Sequence, residues 1–404
     1  MKRYTLISLG LCVLLAGCSA AGNTAVTESM APANETAQAE VNTETEMKEY
    51  AETLENHEDG EHVLTAEGEE VTLEDAKVIK TGDDSSGDEA DFYGSNSALF
   101  ASDGGTLNLN NLYITTDGKH ANAVFSYGEG TTVNISDSVI ETGGDCSGGI
   151  MTTGGGTTNA ENLTIHTTGN SSAAIRSDRG GGTVTVTGGS YTTDGKGSPV
   201  IYSTADITVS DAELTSTSSQ GIVVEGKNSV TLNNVTVDAD NTSKNSDKST
   251  YYQAVMIYQS MSGDAAEGTA SFTMNGGTLT NHNGDIFFVN NTTAEILLQE
   301  AEIINEADGV FLRAEAAGWG NEGSNGGHLT LSAKKQEING DMVIDEISSL
   351  NLYLTDSSSF TGAVNMADGG EVYVELADGS TWTLTGNSYI TSLTCDAEAI
   401  NLNG

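Results

Sequence analysis

A segment of about a dozen residues returns again and again between residue 70 and the C-terminus, and so short a repeat leaves a chain few ways to fold. Its clearest copies begin at Thr106, Thr132, Thr157, Thr183, Asp206, Ser229, Ser271 and Glu295. Each places an apolar or small residue at its second, fourth and ninth positions, as in Leu107, Leu109 and Ile114, or Val230, Leu232 and Val237. The sixth position is Asn111, Asp137, Asn162, Gly188, Asp211, Asn234 and Gly276 in the first seven copies. Period-two alternation on either side of an Asn, Asp or Gly predicts two short strands joined at a corner, not a helix.

A second motif fills the intervals: Ala98-Leu99-Phe100, Ala123-Val124-Phe125, Gly149-Ile150-Met151, Ala174-Ile175-Arg176, Pro199-Val200-Ile201 and Gly221-Ile222-Val223. It continues as Ala254-Val255-Met256, Asp285-Ile286-Phe287, Gly309-Val310-Phe311 and Asp341-Met342-Val343. These anchors lie 22 to 26 residues apart wherever no insertion intervenes, which is one solenoid rung of two or three strands. No such rung buries its inward face alone, so neighbours must stack. The 48 glycines supply positive-φ corners and only two prolines interrupt the ladders. About eleven coils are expected over residues 63–404, with a cap around Val71, Leu73 and Val78. At roughly 4.8 Å per rung the stack would be on the order of 50 Å long. The Asn/Asp/Gly column is expected to satisfy its own corners rather than a ligand.

The N-terminus reads Met1-Lys2-Arg3, then an apolar run from Leu6 to Leu15, then Ala16-Gly17-Cys18. Residues 1–17 therefore read as a secretory signal peptide, too short for a membrane span. Cysteine after Leu15-Ala16-Gly17 resembles a bacterial lipobox, which implies a thioether-linked diacylglycerol on Cys18 and a membrane-anchored, extracytoplasmic lipoprotein. Residues 18–62 are rich in Ala, Thr, Asn and Glu, with Lys48 the only Lys or Arg. That composition predicts a disordered acidic tether, within which Glu44 to Asn56 reads as a short acidic helix.

A net charge of −43 disfavours nucleic acid, anionic headgroups and acidic polysaccharide as partners, and favours a soluble monomer. Cys146 falls in the third coil and Cys395 in the last, roughly 40 Å apart at ~4.8 Å per rung. A disulfide needs α-carbons within about 7 Å, so both thiols are expected free, which in an exported protein points to a reducing habitat.

The rung pattern resembles the right-handed parallel β-helix superfamily of pectate lyases, polygalacturonases and bacterial surface adhesins. The segments Asp91-Phe92-Tyr93-Gly94, Arg176-Ser177-Asp178-Arg179-Gly180-Gly181-Gly182, Ser198-Pro199-Val200-Ile201-Tyr202-Ser203 and Tyr258 to Ala265 are similar to those of adhesin-like exported proteins of anaerobic bacteria, often labelled carbohydrate-binding. The resemblance implies an all-β right-handed parallel β-helix. It implies no agreed catalytic motif.

An enzyme of this superfamily would need an acid and a base. Lyases abstract a proton with Arg or Lys while Ca²⁺ neutralises the substrate acid, and beyond the signal the chain's only arginines are Arg176, Arg179 and Arg313. Arg176 and Arg179 flank Asp178, an arrangement that suits either a base beside a carboxylate or a surface ion pair. Polygalacturonase-like Gly-His-Gly and Arg-x-Lys tripeptides do not occur, and Asp83-Asp84 alone is a poor acid pair. A polysaccharide lyase or glycoside hydrolase is therefore the second reading. Asp83, Asp84, Asp88, Glu89 and Asp91 are dense enough for an oxygen-only Ca²⁺ site, or form a solvated acidic loop. Metal ligation by Cys or His is not expected, because His120, His166, His282 and His328 sit in different coils without local ligand spacing.

Insertions break the solenoid at about 239 to 252, 259 to 269 and 314 to 327. They bring Tyr251, Tyr252, Tyr258 and Trp319, aromatic faces near carboxylates and amides that suit sugar recognition, while Trp319 equally suits packing its own loop onto the rod. The first expectation is thus a surface protein that binds carbohydrate or a neighbouring cell; a structural spacer comes third. Carboxylates and arginine converging around Arg176 and Arg179 would favour catalysis, and an aromatic strip at Trp319 would favour binding.

Overall fold

Strands of three to eight residues persist only when paired, and here each finds its partner one coil away. The computed structural model describes residues 49–244 and 246–402; from Glu49 onward the chain is one compact unit. Each full coil contributes three strands, which pair in parallel with their equivalents in neighbouring coils. The first sheet runs through ten strands from Glu52–Asn56 to Glu302–Asn305, and the second through eleven from Leu64–Glu67 to Met342–Ile344. The third runs through thirteen, from Glu70–Glu74 to Ser392–Thr394. In the last coils a four-stranded sheet, Glu337–Asn339 to Ile400–Leu402, succeeds the first. Gln336 spans the break: its Oε1 accepts from the Ala301 N–H at 2.9 Å and its Nε2 donates to the Ala301 carbonyl at 2.6 Å. The fold is the expected all-β parallel β-helix.

The repeat maps onto it residue by residue. The eight segment starts form one continuous row in the third sheet. Their ninth positions form another row, in the first sheet, from Ile114 to Ile303. All seven sixth positions lie in the left-handed region, with φ between 48° and 69°, which is why they are Asn, Asp or Gly. Side-chain amides tie the column together, with Asn162 donating to Asp137 and Asn234 to Asp211, both at 2.7 Å. A second corner carries a buried serine ladder. The Ser147 N–H donates to the Ser172 hydroxyl and the Ser172 N–H to the Ser198 hydroxyl, each at 2.9 Å.

Three expectations are corrected. The solenoid starts before residue 63: Glu52–Asn56, in the stretch read as tether and acidic helix, is a strand paired with Ala76–Lys80. Leu54 packs on the core from there, so tertiary pairing overrides local helix propensity. Val71 and Leu73 do lie in the terminal strand of the third sheet, but Val78 is already flanked on both sides, so the first coil begins earlier than the expected cap. The three sheets hold ten, eleven and thirteen strands, in keeping with about eleven coils. The inward row of the second sheet passes through Ile201, Phe287 and Leu312. Successive strand residues point to opposite faces. Tyr202 and Phe288 therefore point outward, while Phe287 enters the core between Phe272 and Phe311 at 5.7 and 5.6 Å.

Cys146 and Cys395 are both free thiols. Among the described residues no helix is long and apolar enough to cross a membrane. Cys18 and residues 1–17, read above as a signal peptide, lie outside the described residues.

Candidate functional site

Outward positions on a solenoid sheet are normally polar, but one outward row of the second sheet reads Phe100, Phe125, Met151, Arg176, Tyr202, Val223, Met256, Phe288 and Arg313. Insertions cover both of its apolar stretches. At one end the segment around the helix Gly87–Tyr93 lies over Phe100, Phe125 and Met151, which are buried together. Gly94 makes this approach possible: its φ is +80°, and a Cβ there would stand 2.6 Å from Phe100 and 2.8 Å from Phe125. At the other end Val223, Met256, Tyr258 and Phe288 cluster beneath Tyr251 and Trp319. Arg176 and Tyr202 lie between the two covers, at the floor of a cleft.

The cleft has a volume of 250 Å³, and its lining includes Phe92, Arg176, Asp178, Tyr202, Tyr258 and Asp264. That is small beside the ~300–1,000 Å³ of drug-sized sites and suits a sugar ring. Arg176 donates to Asp178 Oδ2 at 2.8 Å and stands 3.7 Å from Asp91 Oδ2. Arg179, two residues past the strand, lays its guanidinium 3.9 Å over the Phe92 ring and gives two bonds, of 2.7 and 3.1 Å, to Asp264 Oδ1. These contacts join the helix, the rung and the 259 to 269 insertion into one wall. Deeper, Glu225 Oε2 accepts from the Tyr258 hydroxyl at 2.9 Å and from the Tyr202 hydroxyl, while its Oε1 is buried with no partner among the described residues.

The electrostatics follow from counting charges. One buried guanidinium serves two carboxylates, so Asp91 and Asp178 raise the Arg176 pKa despite desolvation. Burial, together with the charges of Asp264 and Asp91, outweighs Arg176 at Asp178 and pushes its carboxyl up to about 6. The two shifts agree: the cluster is short of positive charge. Burial and Glu225 hold the Tyr202 and Tyr258 phenols well above their usual range.

The sequence candidates fare unequally. Arg176, Asp178 and Arg179 do converge, but Arg176 is locked cationic and has no basic form to abstract a proton. Tyr258 lines the cleft. Trp319 packs edge-on against Tyr258 at 5.2 Å, Tyr251 lies under Arg313 at 4.0 Å, and Tyr252 lies under Lys244 at 4.9 Å. These three rings hold insertions down instead of forming an open strip. The acidic loop does not gather into a Ca²⁺ cage. Asp83 accepts from the Lys119 N–H, Asp84 accepts from Ser86 and Ser95, and Asp88 and Glu89 are exposed in the first helical turn. Only Asp91 turns inward, where its carboxylate meets His120 and Cys146 within 4.8 Å. Ligation through His and Cys was not expected from their spacing, because one coil separates residues that the stack makes neighbours. Burial and Asp91 push the Cys146 thiol up to about 11.

Sequence reasoning missed Tyr202, Glu225 and Asp264. The available clue was composition: all three arginines after Arg3, namely Arg176, Arg179 and Arg313, lie on or beside this one sheet face. The chain matches no protein-family model and no curated protein.

Proposed function

We propose that the protein is a lipid-anchored, extracytoplasmic binding protein that recognises a neutral carbohydrate, free or on a neighbouring cell, in the second-sheet cleft. The observation that carries this reading is the cleft itself: hydroxyls, carboxylates and a guanidinium are fixed against tyrosine walls by hydrogen bonds within the chain. Such preorganisation lowers the ordering cost of binding. The chain's charge of −43 directs the choice toward neutral sugars. Asp264 spends one oxygen on Arg179, and its other oxygen is available to a sugar hydroxyl. The anchoring rests on the lipobox-like run ending at Cys18.

The test is a neutral-glycan array followed by calorimetry. Asp264→Ala should weaken any glycan retained by about 10-fold or more, since a hydrogen bond to a charged group contributes about 1.5–3 kcal/mol. An empty array, or equal affinity in Asp264→Ala, rejects the proposal.

A second reading is catalysis on a polysaccharide in the same cleft, and Asp178 favours it, since a carboxyl titrating near 6 is suited to general acid work. Against it, both Asp178 oxygens are engaged, one by Arg176 and one by the Arg179 N–H. Release of reducing ends or unsaturated products from a glycan that binds would establish the enzyme instead.

A further inference from the structure

The turn that carries the serine ladder repeats from coil to coil, and its residue just before the ladder position is His120, Cys146, Ser171 and Gly197 in four successive coils. All four adopt left-handed backbone, with φ of 56°, 57°, 55° and 64°. Gly, Asn, Asp and His take that conformation more readily than Cys or Ser. Two of the four positions carry metal-ligating side chains, and those two are adjacent. Their backbones are pinned to the next coil, the His120 N–H donating to the Asp145 carbonyl at 2.9 Å and the Cys146 N–H to the Asn170 carbonyl at 2.8 Å.

The helix Gly87–Tyr93 lies against this pair. A Cβ on Gly87 would come within 3.1 Å of the His120 ring, so helix and imidazole are in direct contact. Asp91 Oδ1 reaches His120 Nδ1 at 3.0 Å, with the two side chains only 17% and 10% exposed. One atom each from Asp91, His120 and Cys146 lies within 4.8 Å of the others, so a small closure brings all three onto one ion at the ~2.0–2.3 Å distances of zinc coordination.

We infer that Asp91, His120 and Cys146 form a binding site for a divalent transition metal of the zinc class. Thiolate and imidazole donors select Zn²⁺ or a similar ion, whereas Ca²⁺ and Mg²⁺ require oxygen donors. Carboxylate and thiolate together match the charge of a divalent ion, and the thiol proton leaves as the ion enters. Three protein ligands leave a tetrahedral ion one position for water. Asp91 is the link to the cleft, because its Oδ2 faces Arg176 at 3.7 Å while its Oδ1 belongs to the metal group. Metal at this site fastens the helix to the two neighbouring coils that carry His120 and Cys146, and so fixes the cleft wall that Phe92 forms.

The test uses Co²⁺ as a spectroscopic probe on the purified, reduced protein, with no glycan present. Expected are one Co²⁺ per chain, visible bands of tetrahedral intensity and a thiolate charge-transfer band in the near ultraviolet. Cys146→Ser should abolish the charge-transfer band. His120→Ala should weaken binding by more than the roughly 10–100-fold that losing a group bonded to a ligand costs. Cys395→Ser should change neither. Circular dichroism checks that each variant is folded, and Zn²⁺ should raise the melting temperature of the parent protein but not that of His120→Ala. Absence of a charge-transfer band in the parent protein, its persistence in folded Cys146→Ser, or equal Zn²⁺ stabilisation of His120→Ala would each overturn the assignment. Because no sugar enters the experiment, its result is independent of the carbohydrate proposal.

Discussion

Asp178 is where a single residue has most to reveal. Its carboxyl titrates near 6 in the folded protein against an ordinary value of 3.8. A raised acid stabilises the fold while it is protonated. The contribution is therefore fully present below about pH 4 and is lost as pH rises through about 6. For this buried group the difference is on the order of 2–3 kcal/mol. Asp178→Asn should abolish it, so the stability of the parent protein should fall relative to the variant between pH 4 and 7, as read by urea unfolding at both pH values; parallel pH profiles would contradict the assignment. At the Asn/Asp/Gly corner, Asn162→Gly should be nearly neutral. Asn162→Val should cost about 1–2 kcal/mol for its left-handed backbone alone, measured by thermal melts. These corner residues were legible in the sequence because only a few residue types tolerate their φ. His120 and Cys146 were not, because 26 residues of chain separate them and proximity comes only from the coil length.

Among the elements, rungs and insertions differ in how they are held. The rungs rest on inward packing and on the serine ladder, so Phe287→Ala should cost about 3–5 kcal/mol as a buried aromatic lost from the core. Ser172→Ala strands the Ser147 N–H and should cost about 1–3 kcal/mol; denaturant midpoints check both. The insertions rest on the outward face of the second sheet. Sequence located them, because they break the step of the repeat. It could not say where they settle, since the spacing of the triplets does not tell which face of the sheet Phe288 and Tyr202 occupy. Trp319 has two sequence readings, a ligand-facing aromatic and a ring that packs its loop onto the rod, and its position matches the second. Its edge-on contact with Tyr258 makes it a clamp. Trp319→Ala should accordingly loosen the loop, seen as faster proteolysis near residues 314–327, before it alters any glycan contact directly.

For the whole molecule, the proposed anchor makes the simplest forecast. Cys18→Ala should move the protein from the membrane fraction to the soluble one and remove the lipid mass, and unchanged fractionation would count against the lipobox reading. The ends of the stack carry a different consequence. A parallel solenoid grows by adding coils, and its two ends are not equivalent, so head-to-tail contacts between copies would not close into a ring but run on as a filament. The first strand, Glu52–Asn56, pairs on one side with Ala76–Lys80, and among the described residues nothing pairs with its other side. Glu52 and Glu55 are exposed there, and charge on an open edge is what discourages a further strand from adding. Replacing both with valine should produce elongated, concentration-dependent assemblies in light scattering. Glu52 and Glu55 thus set the charge that any further strand would meet at the open edge of the first sheet.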